Sequence, residues 1–288
     1  MATPKSHPNL PSRAYLRDAL SRIGQELYNR PLRTSSLTRI MRETFGGSDA
    51  SGAWSWRMAY DMMQAAAAMR VACAGAEDAA SQARLFATRL LTETRRSEQQ
   101  MRLQQFSTPL PYAALVARAA AIRAGDTVLE PSAGTGTLAA FAVHAGAKPI
   151  LNEIDPFRRS LLEAVFETEV TSFDAEHIDD LLPTPDHPSV VLMNPPFASS
   201  VDRSRDRHIA AKHLISAAKR LAPDGRLVAI MPLGFASDRD AAHWARASAI
   251  ARPRLSLTLP GHVYARLGTN VDTQLLVFDT TPKSSAHS

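Results

Sequence analysis

Asn194-Pro195-Pro196-Phe197 is the stretch of this chain whose residue types combine most directly into chemistry. It follows an apolar run, Val190-Val191-Leu192-Met193, which predicts a buried strand. The two prolines fix the backbone and carry no N–H. The Asn194 side chain and the Pro195 carbonyl can therefore point together at one amino group. Phe197 adds a flat ring on which the base or amide bearing that group can stack. Taken by itself the tetrapeptide is equally readable as a rigid turn.

About 60 residues upstream, Asp126-Thr-Val-Leu-Glu130 predicts a second strand, followed by Pro131-Ser132-Ala133-Gly134-Thr135-Gly136 and an alanine-rich helix from about Leu138. Gly134 and Gly136 permit positive φ and close backbone approach. Glycine loops ahead of a helix usually serve nucleotides. Here the third glycine of the dinucleotide fingerprint is absent, and so is the Lys-Ser/Thr ending of a phosphate-binding loop. The loop suits a nucleoside with an amino-acid tail better than a pyrophosphate. Next, Pro149-Ile-Leu-Asn-Glu153-Ile154-Asp155 predicts a short strand ending in acids, with Glu153 17 residues beyond Gly136. An acid at the tip of the second strand of a doubly wound sheet holds ribose hydroxyls; Glu153 is preferred over Asp155 for that task. Val170-Thr-Ser-Phe-Asp174 predicts a third strand ending in an acid, placed to accept from an adenine amino group. Each carboxylate alone is a surface acid; three at successive strand ends make a site.

The series EPSAGTG, NEID, TSFD and NPPF resembles the S-adenosylmethionine-dependent amino-methyltransferases. More narrowly, it is similar to the DNA adenine methyltransferases whose cofactor motifs precede the catalytic one. Gln104-Gln-Phe-Ser-Thr108-Pro109 resembles that family's motif ahead of the glycine loop, which contacts the methionine part of the cofactor. Leu259-Pro-Gly-His-Val-Tyr264 and Thr269 to Phe278 look like the family's late hairpin beside the target-base pocket. The resemblance spans roughly residues 104 to 280. It implies a Rossmann-like methyltransferase fold of the α/β class, mostly parallel with a terminal antiparallel hairpin. It implies S-adenosyl-L-methionine held by Thr108, Glu130, Ser132, Ala133, Gly134, Gly136, Glu153, Ile154 and Asp174. It implies methyl transfer to the 6-amino group of adenine in DNA, with Asn194, Pro195, Pro196 and Phe197 as the catalytic turn. Phe197 and Tyr264 would receive the flipped base. No Pro-Cys turn suited to cytosine-carbon methylation is present. The long target-recognition region of such enzymes has no counterpart before Ser288, so low sequence specificity or a recognition subunit is expected. The alternatives are a glutamine-amide protein methyltransferase, an RNA adenine methyltransferase, and a non-catalytic cofactor-binding partner.

The elements that must position these residues divide the chain. Residues 1–11 read as a loose tail and residues 12–104 as a helical domain or cap. Its helices are predicted over Ser12–Asn29 (apolar stripe Tyr15, Leu16, Leu20, Ile23 and Leu27), Ser36–Phe45, Trp54–Cys73 and Glu77–Leu103. Residues 105–288 read as the methyltransferase domain, with strands at 126–130, 149–153, 169–173, 189–193, 226–231 and 274–279, and a hairpin of 256–260 with 274–279. Alternation of strands and helices predicts a mostly parallel sheet covered on both faces. Ligands in such sheets sit beyond the strands' carboxyl ends, where every motif lies.

Charge is uneven. Residues 1–104 hold 15 Lys+Arg, 14 of them arginine, against 9 Asp+Glu, whereas the rest of the chain holds 18 against 19. Arginine's fork fits phosphate oxygens, so this segment is expected to contact DNA backbone. The polar stretch Ala198–His208 reads as a loop in which Arg203, Arg205 and Arg207 grip phosphates. Cys73 is the sole cysteine, which excludes a disulfide framework or a cysteine zinc site. The nine histidines show no metal-ligand spacing, so no metal is expected. No run approaches about 18 apolar residues, so neither membrane span nor signal peptide is expected, and an intracellular, cytoplasmic setting follows.

Overall fold

Apolar runs bounded by turn residues form seven strands: β1 (Thr127–Glu130), β2 (Lys148–Asn152), β3 (Val170–Thr171), β4 (Val190–Met193), β5 (Arg226–Pro232), β6 (Arg252–Leu259) and β7 (Thr273–Asp279). The computed structural model describes residues 10–75, 78–94, 107–183, 187–197 and 206–281. The strands join one sheet in the order β3-β2-β1-β4-β5-β7-β6. The first five are parallel; β7 runs antiparallel between β5 and β6. Every residue of β4 is buried, as a central parallel strand covered on both faces requires. Its side chains divide by parity: Val190 and Leu192 join the hydrophobic cluster on one face, Val191 and Met193 that on the other. The expected terminal hairpin is present, its outer strand carrying Arg252, Pro253 and Arg254 at the exposed sheet edge, a composition that discourages further pairing.

Ten helices surround this sheet among the described residues: α1 (Arg13–Asn29), α2 (Thr34–Phe45), α3 (Trp56–Ala72), α4 (Ala79–Arg89), α5 (Leu110–Ala120), α6 (Thr137–His144), α7 (Pro156–Phe166), α8 (Ile178–Leu181), α9 (Ile209–Ala218) and α10 (Ala241–Ile250). Ser12 caps α1 through the Tyr15 amide. Leu16, Leu20, Ile23 and Leu27 are fully buried, whereas Tyr15, expected on the same stripe, is half exposed and donates its hydroxyl to the Glu43 carbonyl. In α3 every residue from Ala59 to Met69 is buried, which is how a helix without a polar face must sit. It packs against α1 and α4 on one side and against α6 and α7 on the other. A single hydrophobic cluster therefore runs from Leu16 and Phe86 in the N-terminal helices through Leu138 to Val228 and Val277 in the sheet.

The fourth helix, expected over 77–103, stops at Arg89. Leu90 is extended, and the Arg89 carbonyl accepts the Leu32 amide. Glu93 then donates its amide to the Arg266 carbonyl, drawing the chain across to the late hairpin. Residues 95–103 of that expected helix lie outside the described residues. No described helix is long and apolar enough to cross a membrane.

Candidate active site

The carboxyl ends of β1, β2 and β4 and the start of α9 enclose a cavity of about 400 Å³. Its lining includes Thr108, Glu130, Ser132, Ala133, Gly134, Glu153, Ile154 and Asp174 from the expected cofactor set, together with Asn194, Pro195 and Pro196. The volume lies within the range of small-molecule sites.

The glycine loop owes its shape to two different demands. Gly134 has φ +56°, and a Cβ built on it would meet nothing within 4 Å. Its side of the loop is open, so a ligand can come up to the backbone. Gly136 has φ +80°, but a Cβ there would lie 2.5 Å from Phe166 Cε2. Gly136 is absent from the cavity lining; it lets α7 pack closely against the start of α6. The expectation placed Gly136 in the cofactor site; the contact seen for it is this packing.

Glu153 is fixed by two backbone donors, the Gly134 amide at 2.7 Å and the Asp155 amide at 2.8 Å. Of the two acids weighed for the ribose, Glu153 lines the cavity. Asp155 caps α7 through the Phe157 and Arg158 amides, pairs with Arg57 at 2.6 Å, and does not line the cavity. Ile154 is 61% exposed on the cavity wall, an apolar face available to a flat ring. Glu130 reaches from β1 to accept the Ala139 amide at 2.9 Å, satisfying one of the unpaired donors in the first turn of α6. Asn152, 1% exposed, binds β1, β2 and β3 together at their tips. Its Nδ2 donates to the Pro131 and Phe173 carbonyls, and its Oδ1 accepts the Phe173 amide and the Thr171 hydroxyl.

The Asn194 turn follows β4 directly. Asn194 Nδ2 donates to Thr108 Oγ1 at 3.0 Å. This contact orients the amide plane and turns its oxygen the other way. It also joins the segment before the glycine loop to the turn after β4. Phe197 is half buried against both hydrophobic clusters and does not line the cavity.

The cavity is acidic. Burial pushes the Glu130 carboxyl well above the usual carboxylate range, and the like charge of Glu153 adds to this while the Ala139 amide opposes it. Burial also raises Glu153, against the pull of Arg158 and the two backbone amides. Asp174 and Glu176 extend the acidic wall. The compensating cation, Arg158, lines the same cavity, 8% exposed and paired with Asp61 of α3 at 2.9 Å. Burial works to discharge Arg158, but Asp61 and Glu153 outweigh it and hold it charged. His213, 6% exposed on the same wall, has its pKa lowered by burial, against the opposing pull of Asp174 and Glu176.

Other expected site residues are placed elsewhere. Tyr264 is 2% exposed, packs edge-on to Tyr112 with ring centres 5.5 Å apart, and is not part of the cavity wall. It is corrected from base receptor to hairpin core. Arg207 is exposed in the turn before α9; Arg203 and Arg205, like Gln104 to Phe106, lie outside the described residues. Among the N-terminal arginines, Arg13, Arg17, Arg22, Arg30 and Arg57 face carboxylates of this chain.

Sequence reasoning missed Asp61, Gln64, Arg158 and His213. Gln64 of α3 donates to Glu93 and contacts the Thr135 hydroxyl at 3.3 Å. A polar residue inside a helix that is otherwise apolar all round was the available signal for both Asp61 and Gln64, because a buried polar group needs a partner.

Comparison with known proteins shows the fold. A protein from Pyrococcus horikoshii assigned as an RNA methyltransferase superposes with a TM-score of 0.52 and 20% identity, over 70% of this chain and 98% of that one. A Listeria monocytogenes protein assigned to the class I S-adenosylmethionine-dependent methyltransferases superposes with a TM-score of 0.53 and 11% identity, over 96% of this chain and 89% of that one. No protein-family model and no curated protein sequence matches the chain. The chain has the Rossmann-like fold of the S-adenosylmethionine-dependent methyltransferases.

Proposed function

We propose that this protein binds S-adenosyl-L-methionine in the cavity and methylates the 6-amino group of adenine in DNA. The observation that carries the reading is Asn194, fixed by Thr108 at the mouth of β4, beside a cavity lined by the strand-end carboxyls. The cavity suits the cofactor in volume and in the polar groups of its lining. The open face of Gly134 admits a ligand to the backbone, Glu153 suits ribose hydroxyls, and Ile154 and Asp174 suit the adenine ring and its amino group. Glu130 and Glu153 present carboxyl oxygens to the polar atoms of such a ligand.

When bound, S-adenosylmethionine supplies a methyl carbon to the target nitrogen: the N–C bond forms as the C–S bond breaks, the C–S electron pair stays on sulfur, and the amine proton passes to water. An adenine amino nitrogen is a poor nucleophile because its lone pair is delocalised into the ring. Asn194 Oδ1 and the Pro195 carbonyl accept its two hydrogens, draw the nitrogen toward tetrahedral geometry and free that lone pair. Alignment of the reactants accounts for roughly 7–11 kcal/mol of the barrier reduction in reactions of this type. In duplex DNA the adenine leaves the stack at a cost of about a few kcal/mol, and the half-buried ring of Phe197 stacks against it. Phosphate contact falls to N-terminal arginines not engaged with carboxylates, such as the exposed Arg33 and Arg42, and to Arg207. Arg95, Arg96 and Arg102 belong to the same proposal and lie outside the described residues. Such contacts carry little sequence information, consistent with low specificity or a separate recognition subunit.

The test is incubation with methyl-labelled S-adenosylmethionine and, separately, duplex DNA, RNA and protein, followed by nucleoside and amino-acid analysis. N6-methyladenine in DNA is the expected product. Label confined to RNA or to glutamine in protein would overturn the DNA assignment while keeping the transferase.

A further inference from the structure

Away from the acidic wall, at the same edge of the sheet, three metal-binding side chains converge. His208 immediately precedes α9; Asp240 and His243 open α10. His208 Nδ1 lies 3.2 Å from one Asp240 carboxylate oxygen, and His243 Nδ1 lies 2.8 Å from the other. The two imidazoles stack with centres 4.6 Å apart and planes 18° from parallel. One candidate ligand atom from each residue falls within 4.8 Å of the other two.

The position of Asp240 is informative. It occupies the N-cap of α10, where an aspartate side chain ordinarily accepts an amide of the first turn. Asp240 makes no such bond. Both of its oxygens are turned to the two histidines instead. A divalent ion shared by the two imidazoles and the carboxylate would account for a carboxylate withdrawn from its helix.

We propose that His208, Asp240 and His243 form a binding site for a transition-metal ion of the zinc class. Two imidazoles and one carboxylate suit Zn²⁺, Ni²⁺ or Co²⁺ rather than Mg²⁺ or Ca²⁺. Metal–ligand bonds of about 2.0–2.2 Å around a tetrahedral centre place ligand atoms about 3.3–3.5 Å apart, so the cluster receives an ion with shifts on the order of 1 Å. His208 is 47% exposed, leaving room for water at a fourth position. The ion would pin the start of α9 to the start of α10. Ile209, next to His208, is part of the cavity wall, so the clamp would also steady that wall. The assignment does not depend on the transferred group.

The test uses the full chain without an affinity tag, carrying Cys73→Ser because the exposed thiol is a competing ligand, and stripped with a chelator. Calorimetric titration with Zn²⁺ should show one ion per chain and a rise in melting temperature. His208→Ala and His243→Ala should each weaken binding by at least about tenfold. Co²⁺ should give the visible absorption of a tetrahedral site, lost in His208→Gln. That readout also serves if an alanine variant fails to fold. Absence of saturable binding, or binding that both histidine variants leave unchanged, would overturn the site and reduce the cluster to an ion pair.

Discussion

Asp61→Asn tests whether the N-terminal helices support the cavity from behind. Asp61 is 3% exposed and Arg158 is 8% exposed, and the guanidinium meets the carboxylate at 2.9 and 3.2 Å. Solvent screening is therefore slight. Arginine cannot shed its charge to escape burial. Removing one partner of a buried pair costs about 3–5 kcal/mol. Asparagine keeps one acceptor, and Glu153 and Asp155 still face Arg158, which places the loss near the low end, about 3 kcal/mol. At roughly 2–4 °C per kcal/mol for a chain near this size, the melting temperature should fall by about 6–12 °C. Urea denaturation measures the free energy directly. The paired replacement Asp61→Leu with Arg158→Met should lose much less than the two single variants combined, because no uncompensated charge remains. A loss below about 1 kcal/mol in Asp61→Asn, or strict additivity in the cycle, would refute the prop. Affinity for S-adenosylhomocysteine, measured alongside, should change far less than stability, since Glu153 keeps both backbone donors.

Gly134→Val should strain the loop by about 1–3 kcal/mol at a positive φ and push a side chain into the cavity, lowering cofactor affinity by about tenfold or more; unchanged affinity by calorimetry would remove this loop from the site. Thr108→Val should lower kcat by up to about 100-fold, more than it lowers cofactor affinity, with Thr108→Ser restoring turnover. A change in affinity alone would deny Thr108 its positioning role. Glu130→Gln should raise the melting temperature at neutral pH. The folded carboxyl binds its proton more tightly than the unfolded one, whose value is near 4.5. Stability from this group is therefore complete below that pH and is lost as pH rises through the higher folded value. Glutamine abolishes that slope, so the variants should converge in acid, and a constant difference across pH would contradict the assignment.

The sheet and the lining of its cavity were legible because strand-end motifs carry their own geometry. Glu130, Gly134, Glu153, Asp174 and Asn194 each follow an apolar run, and a parallel sheet brings such ends together. Ambiguity entered where local pattern underdetermines partners. Gly134 and Gly136 look alike in sequence, and only the packing of Phe166 separates a ligand-facing glycine from a helix-packing one. Tyr264 sits in a hairpin that resembles a base pocket, yet Tyr112 encloses it. The arginine surplus suggested a phosphate-binding surface, but many of those side chains meet carboxylates brought from α2 and α7, more than twenty positions away in some cases. His208 and the Asp240–His243 pair are 32 and 35 positions apart, so their convergence has no spacing signature; Asp-x-x-His at a helix start was the partial signal.

Single-turnover transfer from S-adenosylmethionine to duplex DNA, comparing the natural chain with Asn194→Ala under saturating cofactor and reading N6-methyladenine, tests the proposed chemistry most directly. Loss of one preorganised polar contact predicts a fall of about 100- to 1000-fold in rate, with cofactor affinity nearly intact because Asn194 is held by Thr108 rather than by the acidic wall. Near-normal N6-methyladenine formation in the variant would contradict the mechanism.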